Sequence, residues 1–315
     1  MIQIRLAESS DVPEILNVLK ASLGDMHGRR NPEFWKWKHS DNPFGPSVIL
    51  LAFSEKNLVG VRAMMRWEFR LGDTVIPAWR AVDTSVHPDY QRQGIFSKLN
   101  QEMISHLATL GPALIFNTPN SKSAQGYLKQ GWQQAGKVGA AIKPNFAGLL
   151  ANRIRTAQVS HELFTYYTPS VKVVQATNQL FKNQLLTNWN MERLNWRYAQ
   201  APGLDYNSFH SDNGSLIFRM VRRGKLMELR VVELFAEHTN IKNDFKNLIG
   251  SFSPDFISLL LDGQGQIKKF LPSGFITVGS GAPQVVCRTL DGADFSAPFK
   301  DERHRYFSAG SMELF

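Results

Sequence analysis

The chain reads as a mixed α/β protein with helices on both faces of its sheet. Three observations predict this. Apolar runs of strand length alternate with amphipathic helical spacing through the first half; residues 81–96, AVDTSVHPDYQRQGIF, join a strand to a helix through a polar turn; and residues 120–132, NSKSAQGYLKQGW, set a second helix ahead of a further strand.

The elements follow in order. Residues 2–6 read as a short strand, and Asp11 with Glu14 three residues on reads as a capping box ahead of the apolar spacing Ile15, Val18, Leu19, Leu23. Phe34, Trp35 and Trp37, interleaved with Lys36 and Lys38, read as a helix that buries Phe34 and Trp37; stacking on a sugar or base is the alternative. Residues 47–53 and 58–71 read as strands joined by the polar turn Glu55, Lys56, Asn57, and Gly72 with Asp73 turns the chain into a strand over 74–86. A helix over 94–110 carries Phe96, Leu99, Met103, Ile104 and Leu107. A strand over 114–117, a helix over 121–129 and a closing strand pair complete the first half.

At the 81–96 junction Pro88 breaks the strand and Gly94 opens the helix. Unpaired N–H groups and the positive end of a helix dipole then meet at one point, a cradle suited to a diphosphate. QRQGIF alone marks only a strand-to-helix connection, and the second run sharpens it. There Asn120, Ser123 and Tyr127 share one helix face, Gly131 stands where a helix end takes a left-handed residue, and Trp132 leads into the next strand.

Over roughly residues 1–140 these two runs, in this order and spacing, resemble the GCN5-related N-acetyltransferase (GNAT) family. The family's pattern of Gln or Arg, two residues, Gly, one residue, Gly or Ala lines up with Gln91, Gly94 and Phe96. Its later pattern lines up with Asn120, Ser123, Tyr127, Gly131 and Trp132. Phe96 departs from the small residue usual there, and its ring is expected to narrow the cradle.

The resemblance implies the GNAT fold, a central mixed and mostly antiparallel sheet flanked by helices. It implies acetyl-CoA as co-substrate, no metal, and direct transfer of an acetyl or other short acyl group to an amine of a small molecule or peptide. Cofactor contacts are expected at Ser85, Val86, Gln91, Arg92, Gln93, Gly94, Ile95, Phe96, Asn120 and Ser123. The amides of Gln93 to Phe96 would face the diphosphate, the edge from Thr84 to Val86 would face pantetheine, and the Val86 N–H would face the thioester carbonyl. Tyr127 is the expected general acid, because a phenol keeps its proton at neutral pH; aromatic packing is the alternative. Asp83 is the weaker expectation for the base, through a carboxyl raised by poor hydration. Strand alternation sets it opposite Thr84 and Val86, where a solvated or turn-pairing carboxylate is the alternative, and the family often relays the proton through water.

An internal repeat extends the reading. Glu33, Trp37, Lys38 and Pro43 match Glu192, Trp196, Arg197 and Pro202 at an offset of 159 residues; Leu128, Gly131, Trp132 and Gly136 match Leu271, Gly274, Phe275 and Gly279 at an offset of 143. The 16 residues lost between the blocks cover the interval of the diphosphate turn, and nothing between Arg222 and Asn247 imitates QRQGIF. Two GNAT-like modules in tandem are therefore expected, with chance similarity as the alternative. Residues 1–145 would bind acetyl-CoA, 146–185 would connect, 186–295 would form a degenerate module walling the acceptor pocket, and 296–315 would form a C-terminal tail. Tandem proteins of the family, the enhanced-intracellular-survival type included, are similar in outline.

Composition bounds the rest. A chain of 315 residues with 43% hydrophobic content supports one large or two medium domains. The lone Cys287, set in PQVVCRTL, reads as core filling and points to a reducing compartment. MIQIRLAESSD has no apolar signal core and no run approaches the ~18 residues of a membrane span, so a cytoplasmic protein that does not engage membranes is expected. The net charge of +9 is diffuse: residues 1–150 hold 17 Lys and Arg against 12 Asp and Glu, and the remainder 19 against 15. Without a basic tail this argues against a nucleic-acid partner, while the field steers an anionic cofactor and disfavours a polycationic acceptor. The eight histidines show no metal spacing. Two other classes stay open: a non-catalytic acyl-CoA-binding sensor, and an aminoacyl transferase drawing on charged tRNA. Oligomeric state and acceptor are left open.

Overall fold

The computed structural model describes every residue except 26, 148–165, 238–240, 262–269, 279–283, 291–294, 302–303 and 313–315. Its strands are β1 (Ile2–Leu6), β2 (Val48–Ser54), β3 (Asn57–Leu71), β4 (Thr74–Val86), β5 (Ala113–Asn117), β6 (Gln133–Lys137), β7 (Gly139–Pro144), β8 (Leu185–Thr187), β9 (Asn207–Ser211), β10 (Gly214–Arg223), β11 (Leu226–Ala236), β12 (Phe256–Leu261), β13 (Ile276–Val278) and β14 (Gln284–Leu290). Its helices are α1 (Val12–Leu23), α2 (Pro32–His39), α3 (Ile95–Ala108), α4 (Ser121–Lys129), α5 (Val171–Leu180), α6 (Met191–Leu194), α7 (Lys242–Phe252) and α8 (Ser296–Lys300).

Two mixed sheets form the frame. The first runs β1-β2-β3-β4-β5-β14-β6, with β8 added to β3, and the second runs β13-β7-β12-β11-β10-β9. Within each, one parallel pair, β4/β5 or β11/β12, interrupts otherwise antiparallel pairing. After that pair comes a strand from the other half of the chain: β14 inserts between β5 and β6, and β7 inserts between β12 and β13. Each sheet therefore takes one strand from the half of the chain that builds most of the other. The small apolar run Gly139–Pro144 suits a strand flanked on both sides, and it pairs with FISLLL of β12.

The aligned tryptophans of the repeat meet at the centre. The Trp37 indole N–H donates to the Trp196 carbonyl and the Trp196 indole N–H donates to the Trp37 carbonyl, both at 2.8 Å, with the rings stacked 5.1 Å apart. Gly131 and Gly274, also aligned, both have left-handed backbones at φ +80° and +92°, each two residues ahead of a strand. Gly279, the last residue of the match, and much of the expected connecting segment lie outside the described residues.

Opposite faces of the first sheet take different helices. Helix α1 buries Ile15, Leu16, Val18 and Leu19 against Leu51, Leu58 and Val61, whereas α3 buries Ile95, Leu99, Met103 and Leu107 against Leu50, Ala52 and Val59. Leu23, expected on the buried stripe, is 49% exposed at the last residue of α1. The capping box also sits a turn earlier than expected. Asp11 accepts from the Glu8 N–H at 2.7 Å and pairs with Arg5, closing the short turn before α1 instead of capping α1 with Glu14.

Of the expected tail over 296–315, the described residues from Arg305 to Met312 are interior structure. Past Arg305 the described segment carries no charged side chain, and Phe307, Ala309, Ser311 and Met312 are buried. Both sheets hold it. The Gly310 N–H donates to the Val232 carbonyl at 3.2 Å, Arg197 donates twice to the Gly310 carbonyl at 3.3 Å, and Arg80 of β4 donates to the Ser311 and Met312 carbonyls. A Cβ at Gly310 would fall 1.8 Å from the Tyr198 hydroxyl and 2.6 Å from Glu233 Oε1. Gly310→Ala is accordingly expected to cost on the order of 2 kcal/mol in urea denaturation; wild-type stability would mean that this glycine does not seat the segment.

Glu233 sits beside it, 2% exposed, accepting from Tyr198 at 2.7 Å and from Ser308. Burial pushes its carboxyl up from 4.5 to about 7 against the hydrogen bonds of Ser308 and Tyr198 and the Arg197 charge. Between those values the folded state keeps a proton that the unfolded chain releases. Stability is therefore expected to fall as pH rises from about 4.5 to 7, by about 3 kcal/mol in all, and to level off above. Glu233→Gln should flatten that slope in denaturation curves across the range; an unchanged slope assigns it to another group.

Candidate active site

The junction of β4 and α3, where a cradle is expected from the sequence, is a helix N-terminus led by a glycine. Gly94 is the N-cap of α3 at φ +77°, a left-handed value that glycine adopts without strain. Arg92 just before it is also left-handed, at φ +63°. The first intrahelical bond runs from the Lys98 N–H to the Gly94 carbonyl at 3.0 Å, so the amides of Ile95, Phe96 and Ser97 precede the ladder. Gln91, Arg92 and Gln93 are exposed around them, with the Gln91 side chain donating to the Val86 carbonyl at 3.1 Å.

Beside the cradle β4 parts from β5. The two pair only through Ala78, Trp79 and Arg80, and Phe116 faces Arg80 as the last partner. Beyond that, β4 continues to Val86 with its other edge still held by β3. The His87 N–H donates to Val59 of β3 at 2.9 Å, so by strand alternation the Val86 N–H faces the parted side. A bulge in the β3/β4 register leaves Asp83 left-handed at φ +38° and separates its surroundings from those of Thr84.

On the Thr84 side lies Tyr127. Arg62 donates from Nη1 to the Thr84 hydroxyl at 2.9 Å and to the Tyr127 hydroxyl at 2.6 Å, and from Nη2 to Asn100 Oδ1 at 2.8 Å. A guanidinium has no acceptor, so the Tyr127 oxygen takes its hydrogen bond and keeps its own proton for another partner. Arg62 is fully buried, all three of these partners are neutral, and among the described residues nothing accepts from its Nε. The Tyr127 ring is buried too, edge-on to Phe96 at 5.6 Å and to Trp132 at 4.8 Å. Phe96 thus turns onto α4, which corrects the expectation that it narrows the cradle.

Asn120 and Ser123 are engaged with each other. Asn120 caps α4, its Oδ1 accepting from the Ser123 N–H at 2.9 Å and from the Ser123 hydroxyl at 3.0 Å. At the other end the Gly131 N–H donates to Leu128 and the Trp132 N–H donates to Tyr127, the paired closure for which Gly131 is suited. Ser85 is buried toward α1, its hydroxyl 3.5 Å from the Val18 carbonyl.

Asp83 faces α1 and α2 on the opposite side of the sheet. Its Oδ2 meets Lys38 Nζ at 2.7 Å and His39 Nε2 at 3.1 Å, and its Oδ1 lies 3.5 Å from Arg30. Burial alone would raise the carboxyl, as expected from sequence. The Lys38 charge and the hydrogen bonds from His39 and Lys38 outweigh it and hold the group well below the usual carboxylate range. A carboxylate so stabilised takes up no proton at neutral pH, which weighs against Asp83 as the base.

Among the described residues no His, Cys, Asp and Glu cluster could hold a metal, and no helix is long and apolar enough to cross a membrane. Cys287 is buried in β14.

A model of the acetyltransferase (GNAT) domain matches residues 3–135. Among solved structures, a conserved protein from Enterococcus faecalis described as a probable N-acyltransferase aligns at a TM-score of 0.66 and 12% identity, over 92% of this chain and 72% of that one. A GCN5-related N-acetyltransferase from Anabaena variabilis aligns at 0.66 and 15% identity, over 92% and 73%, and Eis1 from Mycobacterium abscessus at 0.58 and 14%, over 92% and 74%. At such identities the likeness is one of fold. No curated protein matches the chain.

Proposed function

We propose, from the match of residues 3–135 to the acetyltransferase (GNAT) domain, that the chain moves an acetyl or other short acyl group from acyl-CoA directly to an amine. The observation that carries this reading is the parting of β4 from β5 beside a helix N-terminus whose leading glycine leaves open space ahead of it: a Cβ at Gly94 would meet nothing within 4 Å.

The residues present fit the co-substrate. The amides of Gln93 to Phe96 would hold its diphosphate, with Gln91 and Arg92 at the rim, and the parted edge of β4 from Thr84 to Val86 would hold its amide-bearing arm as an added strand. When bound there, acetyl-CoA supplies the activated acyl thioester. The Val86 N–H presents a fixed donor on the parted side, where charge developing on a carbonyl oxygen is stabilised. Tyr127 holds the proton of the general acid, and Arg62 fixes its oxygen without taking that proton. Asn120 and Ser123 contribute by setting the start of α4, the helix that carries Tyr127. Asp83 serves as the counter-charge that fixes Lys38 and His39, and the amine loses its proton to solvent.

The second half is read as a degenerate module that walls the acceptor side. The reciprocal Trp37 and Trp196 hydrogen bonds and the matching strand order support that reading. Isothermal calorimetry with acetyl-CoA, followed by thiol release over an amine panel, tests the proposal. Binding with acceptor-dependent release is expected; binding without release under any amine would identify a sensor. Absence of binding together with salt-sensitive affinity for tRNA would favour the aminoacyl transferase instead.

A further inference from the structure

Arg62 is fully buried in β3, and among the described residues no carboxylate meets it. Its contacts are the Thr84 hydroxyl, the Asn100 side-chain carbonyl and the hydroxyl and ring of Tyr127, all of them neutral. Desolvating a cation without a counter-charge is costly, and tying β3, β4, α3 and α4 together asks only for a neutral donor. What the charge adds falls on its partners. The Thr84 hydroxyl donates to the Val82 carbonyl at 3.1 Å. The Asn100 amide nitrogen donates to Gln130, whose own amide nitrogen donates to the Ser97 hydroxyl at 3.1 Å. Tyr127 alone turns a lone pair to Arg62, at 2.6 Å, and keeps a proton that no described residue accepts. Of the three, it is the group that can leave a negative oxygen beside the guanidinium.

Resting on the acyl-transfer reading above, we infer that Arg62 is the positioning residue of the acid step, its unpaired charge stabilising the phenolate that remains when Tyr127 gives up its proton. As the carbon–nitrogen bond forms, the carbon–sulfur bond breaks with its electron pair passing to sulfur, and sulfur takes the Tyr127 proton. The proton that the amine releases to solvent is matched by one that solvent returns to the phenol. In between, phenolate and guanidinium form an ion pair away from water, where their attraction is far stronger than at a wet surface. Asn100 belongs to the same device. Its carbonyl oxygen orients Nη2 of Arg62 without adding charge, so the guanidinium stays uncompensated until Tyr127 ionises.

Asn100→Asp tests this in the full chain, since it keeps the side-chain shape and gives Arg62 a counter-charge, with Gln130 turning its amide to donate. The melting temperature should rise by about 2 °C or more, because a lone buried cation becomes a pair. Thiol release from acetyl-CoA, with an amine that serves the wild type, should nonetheless show kcat lowered about tenfold, while acetyl-CoA affinity by calorimetry stays within about twofold. A merely structural Arg62 predicts the opposite, a firmer site with turnover kept. Arg62→Gln, which leaves a neutral donor for Tyr127, should lower kcat at least as far. In a Tyr127→Phe background Asn100→Asp should change kcat by less than about twofold, since the phenolate it acts through is gone. Wild-type turnover in Asn100→Asp, an unchanged or lower melting temperature, or a full tenfold loss on top of Tyr127→Phe overturns the inference and leaves acyl transfer standing. No thiol release from the wild type with any amine sinks the acyl-transfer reading and the inference with it.

Discussion

Gly94→Glu is expected to abolish coenzyme A binding, raising Kd by at least about a hundredfold. Gly94 has φ +77°, and a Cβ there would meet nothing within 4 Å, so the new side chain extends into the space ahead of the α3 amides. A carboxylate at that point takes up the donors meant for a diphosphate and repels its charge. The left-handed backbone adds strain of about 1 kcal/mol. Gly94→Ala carries the strain without the charge and should lose far less affinity. Calorimetry on both variants, with circular dichroism to show that the fold is kept, separates the causes. Normal binding by Gly94→Glu would place the cradle elsewhere.

Tyr127→Phe is expected to lower kcat by about a hundredfold while leaving the KM for acetyl-CoA within about twofold, the size and pattern of a lost general acid. The phenylalanine ring keeps the packing against Phe96 and Trp132, so a purely structural role predicts almost no change in turnover. The variant deprives buried Arg62 of one acceptor, and a stability loss of about 1 kcal/mol should accompany the kinetic effect. Steady-state kinetics against pH check the assignment, and wild-type turnover at every pH would remove Tyr127 from the chemistry.

Local signals read well from the sequence wherever a short stretch decides its own conformation. The bounds of β1, β4 and α4, and the left-handed Gly131 that closes α4, all follow from capping, turn chemistry and spacing within a dozen residues. The strand-to-helix junction at Gly94 was legible for the same reason. Arg62 was not, since in LVGVRAMM a strand arginine reads as one that faces water. Its partners Thr84, Asn100 and Tyr127 lie 22, 38 and 65 residues away. The one trace of it is a charge in an otherwise apolar run. The sign of the Asp83 shift failed on the same ground, because Lys38 and His39 come from a helix more than forty residues earlier. The reading of α2 as a helix that buries Phe34 and Trp37 matches the structure, and the helix also buries Lys38 and His39, which no apolar periodicity announces.

The insertion of β14 between β5 and β6 sets a timetable for biosynthesis. The strand whose divergence shapes the site gains its outer neighbour only when residue 290 has left the ribosome, and until then it offers a bare edge to any other nascent chain. Reciprocally, β7 waits for β12, a strand made more than a hundred residues later. Neither sheet has its full set of strands until both halves have been made, so the candidate site, drawn almost wholly from the first 130 residues, gains its completed sheet only late in synthesis.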